Sequence, residues 1–260
     1  MTSQELLIAE AIFFRGDWDK IYDAINLKKF LPNSQVAELN RQMKCKAITI
    51  LDKDYPMQLR QMFKPPLVLF YYGDISLLKD SNKCLAVVGT RHPSAKGAAI
   101  TKEIVSETSK YMVTVSGLAY GIDRIAHESA INSNGKTIAV LGCGINVCYP
   151  IENEDIYNEI KNNHLLISEY PEGVSPDPSK FPLRNRIIAG LSKGVLVTES
   201  KIQSGTSITA RFALDSGIEV MCVPSNDYNQ SGCNLHIKQG AALVESAKDV
   251  LFVLDAEKLL

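Results

Sequence analysis

The chain has 260 residues, of which 45% are apolar and 22% charged, and its net charge at pH 7 is −1. This length can bury a substantial core, either in one large domain with an appendage or in two domains. The near-neutral charge excludes indiscriminate binding to polyanions, so any contact with nucleic acid must come from a local basic patch.

The chain shows neither a signal-peptide pattern at its N-terminus nor an apolar run long enough to span a bilayer. Its six cysteines are scattered, and none forms the C-x-x-C pair that zinc sites and thiol redox motifs use. We therefore expect a cytoplasmic protein with reduced, buried thiols, no membrane partner and no bound metal.

Three short helical patterns fill the first 45 residues. Apolar side chains recur at helical spacing within 6–13, 18–25 and 36–43. Aromatic side chains at this spacing usually belong to a core, so Trp18 is interpreted as a core residue. Nothing in this small helical part predicts chemistry.

A connector with several prolines follows at 46–74. Pro65 and Pro66 cannot lie inside a helix, and Leu67 to Tyr72 has the apolar and aromatic content of a strand. We predict a boundary here, followed by a strand added at an edge of the sheet. The chain is accordingly divided into a helical N-terminal module with its connector, 1–65, and a main domain, 66–260.

From residue 84 onwards, apolar strand patterns alternate with helical patterns. This alternation is typical of an α/β fold with a doubly wound, mostly parallel sheet and helices on both faces. Ligands bind such sheets at the carboxyl ends of the strands. The predicted strands are 84–88, 112–115, 137–141, 165–167, 194–198 and 218–223.

The turn after the first of these strands is the most informative segment. Cys84 to Val88 is an unbroken apolar run, as a strand covered on both faces requires. It is followed by Gly89, Thr90 and Arg91. Ser94 can cap the next helix, so backbone N–H groups and a guanidinium would face an anion together. No G-x-G-x-x-G pattern is present, which makes the turn a poor dinucleotide site.

Two more strand ends carry small residues that let a backbone approach phosphate closely. These residues are Ser116, Gly117, Ala119 and Gly121 in one loop and Ser204, Gly205 and Thr206 in the other. Asp123 is predicted to open the helix after the first loop, and Ser204 to cap the helix after the second. Each loop alone is also compatible with an ordinary tight turn. Together with Arg91, they favour an anion-binding groove.

A fourth loop of this kind is predicted at 181–192. Its candidate ligand-binding residues, with the lysine that precedes it, are Lys180, Phe181, Arg184, Asn185 and Arg186. An aromatic ring beside guanidiniums suits a single nucleic-acid strand, whose phosphates take the charge and whose bases stack on the ring. In the alternative, the apolar residues of the segment form core, and its arginines are solvated or pair with Glu169 and Glu199.

No arrangement of residues predicts catalysis, a metal or a cofactor. Asp123 and His127 share a helix face, but no third ligand lies near them in sequence, so a core or surface histidine is favoured. The segment Gly142-Cys143-Gly144 resembles half of a dinucleotide loop, without the helix that should follow it at once. Ser168 lacks a placed His–Asp partner.

Several segments in a fixed order, from about residue 54 to 245, carry a family resemblance. They are Asp54-Tyr55-Pro56, Pro65 to Asp74, Val88 to Arg91, Ser116 to Asp123 with Ala126-His127, Gly142 to Gly144 with Tyr149-Pro150, Ser168 to Pro171, Phe181 to Ser192, Val197 to Glu199, and Ser204 to Thr206. This text resembles the DNA-processing protein A family (DprA, also called Smf), the single-stranded-DNA-binding recombination mediators of bacterial transformation.

The resemblance implies an extended Rossmann-like domain that binds single-stranded DNA, forms a homodimer and loads the RecA recombinase onto the strand. It also implies that the helical N-terminus is similar to a sterile-alpha-motif-like module. Two positions depart from the family pattern, since His236 stands where an aliphatic residue is expected and Pro178 where a basic residue is common. The implied binding pocket falls on Arg91, the loop from Ser116 to Gly121, Phe181, Arg184 and Arg186.

We therefore predict a non-enzymatic protein that binds single-stranded DNA and hands it to RecA. Two alternatives stay open. One is a nucleotide-monophosphate phosphoribohydrolase, for which Glu199 is the only plausible carboxylate, and the other is a nucleotide sensor without turnover. The segment 241–254 has more apolar side chains than one helix face needs. It is predicted to contribute to a homodimer or to the RecA-facing surface, or else to pack on the sheet.

Overall fold

The computed structural model describes residues 1–79, 81–202, 204–227 and 229–255. Within them, helices and strands alternate as predicted, and the α/β class with a small helical N-terminal part is confirmed. The helices are Ser3–Phe13 (α1), Trp18–Asn26 (α2), Asn33–Gln42 (α3), Met57–Gln61 (α4), Ala95–Thr108 (α5), Ile122–Asn132 (α6), Glu154–Asn163 (α7), Lys180–Gly190 (α8), Gly205–Asp215 (α9), Gly232–Lys238 (α10) and Ala247–Val253 (α11). The strands are Lys46–Thr49 (β1), Val68–Gly73 (β2), Cys84–Val88 (β3), Val113–Ser116 (β4), Thr137–Leu141 (β5), Leu165–Ser168 (β6), Gly194–Val197 (β7), Glu219–Cys222 (β8) and Ala242–Leu243 (β9).

The strands of the described chain form one sheet in the order β1-β2-β6-β5-β4-β3-β7-β8-β9. From β3 to β9 every pairing is parallel, whereas β2 is antiparallel to both of its neighbours. The chain order reverses at β3, which pairs with β4 on one side and β7 on the other. In doubly wound sheets, ligands bind outside the carboxyl ends of the strands at such a reversal.

The strand β2 confirms the strand predicted at Leu67 to Tyr72, but its predicted place at the edge is wrong. It lies inside the sheet, between β6 and the short strand β1. Sequence reasoning misses β1 because it has only four residues and begins with an exposed lysine, so it offers no alternation to detect. The strands 84–88 and 137–141 match their predictions residue for residue.

Helices cover both faces of the sheet, which is why β3 is apolar throughout. Leu85 and Val87 point into the core under α5, α6 and α11, while Ala86 and Val88 point into the core under α8, α9 and α10. Each strand of this kind buries both of its faces, so hydrophobic burial holds its register firmly. The rigid carboxyl end of β3 thereby becomes a fixed base for the turn that follows.

The N-terminal helices α1 to α3 pack beside the sheet. The half-buried Trp18 donates its indole N–H to the carbonyl of Pro65 over 2.7 Å and stacks on Tyr22, in agreement with a packing role. The division of the chain at residue 65 stays a prediction. The strand β1, which precedes that point, already belongs to the sheet of the main domain.

None of the six cysteines, all of which lie in the described ranges, is part of a disulfide, and all but Cys148 are buried. Among the described residues, no group of three or more His, Cys, Asp or Glu side chains is arranged to hold a metal ion. No helix in the described ranges is both long enough and apolar enough to cross a membrane.

Candidate nucleic-acid interface

A groove of about 430 Å³ opens at the carboxyl end of β3. Its walls are the turns after β3 and β4 on one side and the N-terminal halves of α8 and α9 on the other. The residues that line this groove are Val88, Gly89, Thr90, Arg91, His92, Ala119, Asp123, Phe181, Pro182, Arg184, Asn185, Ile188, Ser204, Gly205, Thr206 and Thr209.

The groove unites most of the candidate residues from the sequence. Ten of them share its wall, namely Gly89, Thr90, Arg91, Ala119, Phe181, Arg184, Asn185, Ser204, Gly205 and Thr206. Five others do not line it, namely Ser116, Gly117, Gly121, Lys180 and Arg186. The two groups differ for physical reasons that the following contacts explain.

The segment predicted as a fourth loop is the helix α8, so that prediction is wrong. Pro182 suggests a break, but it lies in the first helical turn, where a missing N–H costs no hydrogen bond. Phe181, Arg184, Asn185 and Ile188 follow at helical spacing and face the groove together.

Arg186 faces away from the groove because it lies two residues after Arg184 on the same helix. Its Nη2 donates to both carboxylate oxygens of Glu169 at 2.7 Å, and both side chains are buried. This buried ion pair is one of the alternatives weighed from the sequence, and it makes Arg186 a residue of the core rather than of the groove. Lys180 also points elsewhere, with its amine on the carbonyl of Ser175 over 3.1 Å.

Several amides of the turn after β3 already have acceptors within the chain. Thr90 N–H donates to the carbonyl of Glu199 at 2.8 Å. The backbone N–H and the hydroxyl of Ser94 both donate to the Glu199 carboxylate, over 3.1 and 2.8 Å. Ser94 also caps α5 as predicted, accepting from the N–H of Gly97 at 3.0 Å. The N-terminus of α5 therefore already holds an anion, the side chain of Glu199.

In the loop after β4, a second carboxylate of the chain accepts hydrogen bonds from the backbone amides. Asp123, at the start of α6, accepts hydrogen bonds from the N–H groups of Gly117 at 3.2 Å and Ala119 at 3.4 Å. The hydroxyl of Ser116 is fully buried and donates to the carbonyl of Val87. These groups cannot bind an external phosphate while they serve one another.

Gly121 has a backbone role rather than a binding role. Its φ of +72° lies in the left-handed region, and a Cβ there would come within 2.5 Å of the Thr90 carbonyl oxygen. The close approach lets the N–H of Ile122 donate to that same carbonyl over 3.1 Å. The glycine thus holds the turns after β3 and β4 against each other.

Arg184 lies at the floor of the groove as a buried cation. Its Nη1 donates to the carbonyl of Gly117 at 2.6 Å and to the carbonyl of Val140. A Cβ on Gly117 would come within 2.5 Å of the guanidinium, which explains the glycine. Burial raises the pKa of the neighbouring Asp123 carboxyl, and the Arg184 charge opposes that rise. Arg184 is thus tied to the scaffold, although one edge reaches the groove.

Two features of the groove, the Arg91 side chain and the N-terminus of α9, have no acceptor or ion-pair partner among the described residues. Arg91 is exposed, makes no ion pair with any described residue, and holds its Cζ 5.9 Å from the centroid of the Phe181 ring. Ser204 occupies the N-cap position of α9, but its hydroxyl does not cap the helix. No acceptor in the described part of the chain takes the amides of Gly205 and Thr206. An exposed guanidinium and an open helix N-terminus both attract anions.

Phe181 also touches Tyr149, which lies in one of the family segments named from the sequence but is not predicted there to belong to the site. The ring of Tyr149 stacks on it with 5.5 Å between centroids and 20° between planes. Tyr149 lies in the loop after β5, far from Phe181 along the chain, and no periodicity links the two. Only the folded sheet, which places β5 two strands from β3, brings them together.

The histidine set aside as a metal ligand is a core residue. His127 is fully buried, and its Nδ1 hydrogen-bonds the hydroxyl of Thr137 at 2.7 Å. Burial lowers the pKa of the imidazole to about 3, so the ring is neutral at physiological pH.

Comparison with known proteins decides the family. The model of the family described as DNA recombination-mediator protein A matches residues 46–255. The chain belongs to the DprA/Smf family. Within the family, it is 43% identical to DNA processing protein DprA of Streptococcus pneumoniae over 218 residues, which are 83% of this chain and 77% of that protein. It is 40% identical to the DprA of Bacillus subtilis over 86% of this chain and 76% of that one.

Two solved structures of DNA processing protein A share most of this architecture. The chain superposes on DNA processing protein A of S. pneumoniae with a TM-score of 0.80 and 36% identity, over 95% of this chain and 92% of that one. It superposes on DNA processing protein A of Helicobacter pylori with a TM-score of 0.74 and 28% identity, over 82% of this chain and 96% of that one. The H. pylori structure concerns the single-stranded DNA binding mode of that protein.

Proposed function

We propose that this DprA family member binds single-stranded DNA in the groove and acts without catalysis as a recombination mediator that hands the strand to RecA. The observation that carries the proposal is the exposed Arg91, which no described residue pairs with, set against Phe181 in the same groove as the open N-terminus of α9. Charge for a phosphate and aromatic surface for a base are the two components of single-strand binding sites.

The form of the groove favours a single strand over a duplex. Its aromatic surface is Phe181 with the ring of Tyr149 stacked on it, and a base can stack on such a surface only when it is not held in a duplex. The net charge of the protein is −1, so attraction of DNA depends on local cations such as Arg91 rather than on the charge of the whole chain. Binding should therefore weaken as the salt concentration rises, because each neutralised phosphate releases counterions.

The contacts of Glu199 argue against both nucleotide alternatives. A phosphoribohydrolase needs a carboxylate directed at a ribose, but that of Glu199 is held by the N–H and hydroxyl of Ser94. The same carboxylate fills the position at the N-terminus of α5 where a nucleotide phosphate would bind in a doubly wound sheet. A Cβ on Gly97 would overlap its Oε2, so the carboxylate lies directly against the backbone of the first turn of α5.

The far edge of the sheet supports the proposal of a homodimer. Leu243 on β9 is 51% exposed and Phe252 on α11 is 65% exposed, while the buried residues of the same segment pack on the sheet. An open strand edge with two large apolar side chains is a surface that a second copy, or RecA, can cover. Sedimentation that shows only monomer at micromolar concentration would exclude the dimer.

The central experiment compares two activities of the purified protein. Fluorescence anisotropy with labelled oligo-dT and with a duplex of the same length measures binding, and release of adenine from AMP measures hydrolysis. We expect binding to oligo-dT, weaker binding to the duplex and no base release. Equal affinity for the duplex would contradict the groove as a single-strand site, and base release would support the phosphoribohydrolase. Delivery to RecA is tested by the rate at which RecA filaments form on a pre-bound strand.

A further inference from the structure

The ring of Phe181 is largely occupied by its own neighbours. The Arg91 guanidinium lies over it, the Tyr149 ring stacks on it, and a Cβ on Gly142 would come within 2.6 Å of its Cδ1. Cation–π and ring-stacking contacts both use the faces of an aromatic ring. A base that stacked directly on Phe181 would have to displace one of these neighbours.

Tyr149 is the outer member of this stack. Tyr149 is 44% exposed, whereas Phe181 is less exposed and lies half-buried between its partners. The loop that carries Tyr149 is well fixed, because Gly144 N–H donates to the carbonyl of Val174 and Ile145 N–H to the carbonyl of Tyr170. A rigid loop thus presents an accessible aromatic ring beside the cation of the groove.

On the basis of the proposed function, we propose that Tyr149 is the surface on which a base of the bound strand stacks, while Phe181 supports it from behind. Arg91 then meets a phosphate on one side of Phe181, and the base lies on the exposed ring of Tyr149. The stack of Arg91, Phe181 and Tyr149 would thus hold both the phosphate and the base of a nucleotide. It would do so for any base, because every base has a π face.

Substitution of Tyr149 tests the proposal by affinity for oligo-dT. Tyr149→Ala should weaken binding by about 5- to 100-fold with no change in salt dependence, the range that loss of one base–aromatic contact gives. Tyr149→Phe should stay within about twofold of the parent protein. Tyr22→Ala is a matched control, since Tyr22 is also 44% exposed and also stacked on an aromatic ring, but in the N-terminal helices. It should bind as the parent does.

Photocrosslinking of the unaltered protein gives a test that does not depend on a variant's folding. An oligo-dT strand with 5-iodouracil, irradiated in the complex, should crosslink to the peptide that contains Tyr149. A crosslink on Phe181 without one on Tyr149, or parental affinity in Tyr149→Ala, would overturn the inference. If the parent binds and Arg91→Ala weakens binding, that result leaves the proposed function standing. If the parent does not bind oligo-dT, both proposals fail.

Discussion

Arg91→Ala removes the one exposed guanidinium of the groove that no described residue pairs with. The side chain is not needed for packing, because its contact is with the face of Phe181 and it projects into solvent. A charge-assisted contact at such an accessible place is worth about 1.5 kcal/mol, the lower end of the usual range, or roughly tenfold in affinity. The variant should therefore bind oligo-dT about tenfold more weakly at 50 mM salt.

The salt dependence gives a second, independent magnitude. Each phosphate neutralised on a single strand contributes about 0.7 to the slope of log affinity against log salt, so a fourfold rise in salt weakens that contact by about 2.6-fold. The tenfold deficit of Arg91→Ala should thus shrink to about fourfold at 200 mM salt. Anisotropy titrations at several salt concentrations measure both numbers.

Arg211→Ala is the control for charge alone. Arg211 is 85% exposed on α9 and faces Asp215 at 3.9 Å, so its removal changes the net charge equally without touching the groove. We expect parental affinity and slope. If Arg91→Ala binds as tightly as the parent, or loses affinity with an unchanged slope, Arg91 does not neutralise a phosphate and the reasoning is refuted.

Three further substitutions address the rest of the site. Phe181→Ala should weaken oligo-dT binding with an unchanged salt slope, because the ring supports Tyr149. It should also lower the melting temperature by a few degrees, because the half-buried ring fills space beside Gly142. Parental affinity would contradict the place of Phe181 in the stack. Glu199→Ala should cost about 1–2 kcal/mol of unfolding free energy, because the contacts of Glu199 with Ser94 are lost. Inorganic phosphate should then raise the melting temperature of the variant more than that of the parent. An equal rise in both proteins would show that the N-terminus of α5 attracts no anion. His127 has a folded-state pKa of about 3 and an unfolded value near 6.5, so below pH 6.5 the unfolded state takes up the proton first and stability falls as the pH drops towards 3. His127→Gln should flatten this fall between pH 6.5 and 5 in urea titrations, and an unchanged pH profile would show that other groups cause it.

The sequence predicts the sheet well because the relevant signal is local. An unbroken apolar run such as Cys84 to Val88 has one plausible role, a strand with both faces buried, and the turn residues after it mark its end. The carboxyl-end position of the groove follows from strand–helix alternation alone. The same local logic fails at β1, whose four residues are too few to show a pattern.

The details of the site were less predictable because they depend on which distant groups meet. Arg184 and Arg186 look equivalent in the sequence, yet a helix turns them to opposite sides, one to the groove and one to Glu169. The turn at Thr90 looks like an open phosphate cradle until β3 is placed next to β7, which delivers Glu199 into it. The sequence pattern shows the backbone N–H donors of the turn, but it does not show that the fold brings the acceptor Glu199 to them.

The Glu199 carboxylate also competes with any free phosphate compound for the N-terminus of α5. A carboxylate built into the chain is present at an effective concentration that a free nucleotide would have to exceed before it could occupy the same helix end. The Glu199 side chain therefore occupies the position at the N-terminus of α5 where the fold would otherwise bind a phosphate. Small phosphates are thereby kept from the N-terminus of α5, and the exchange of one side chain would be enough to reopen that competition.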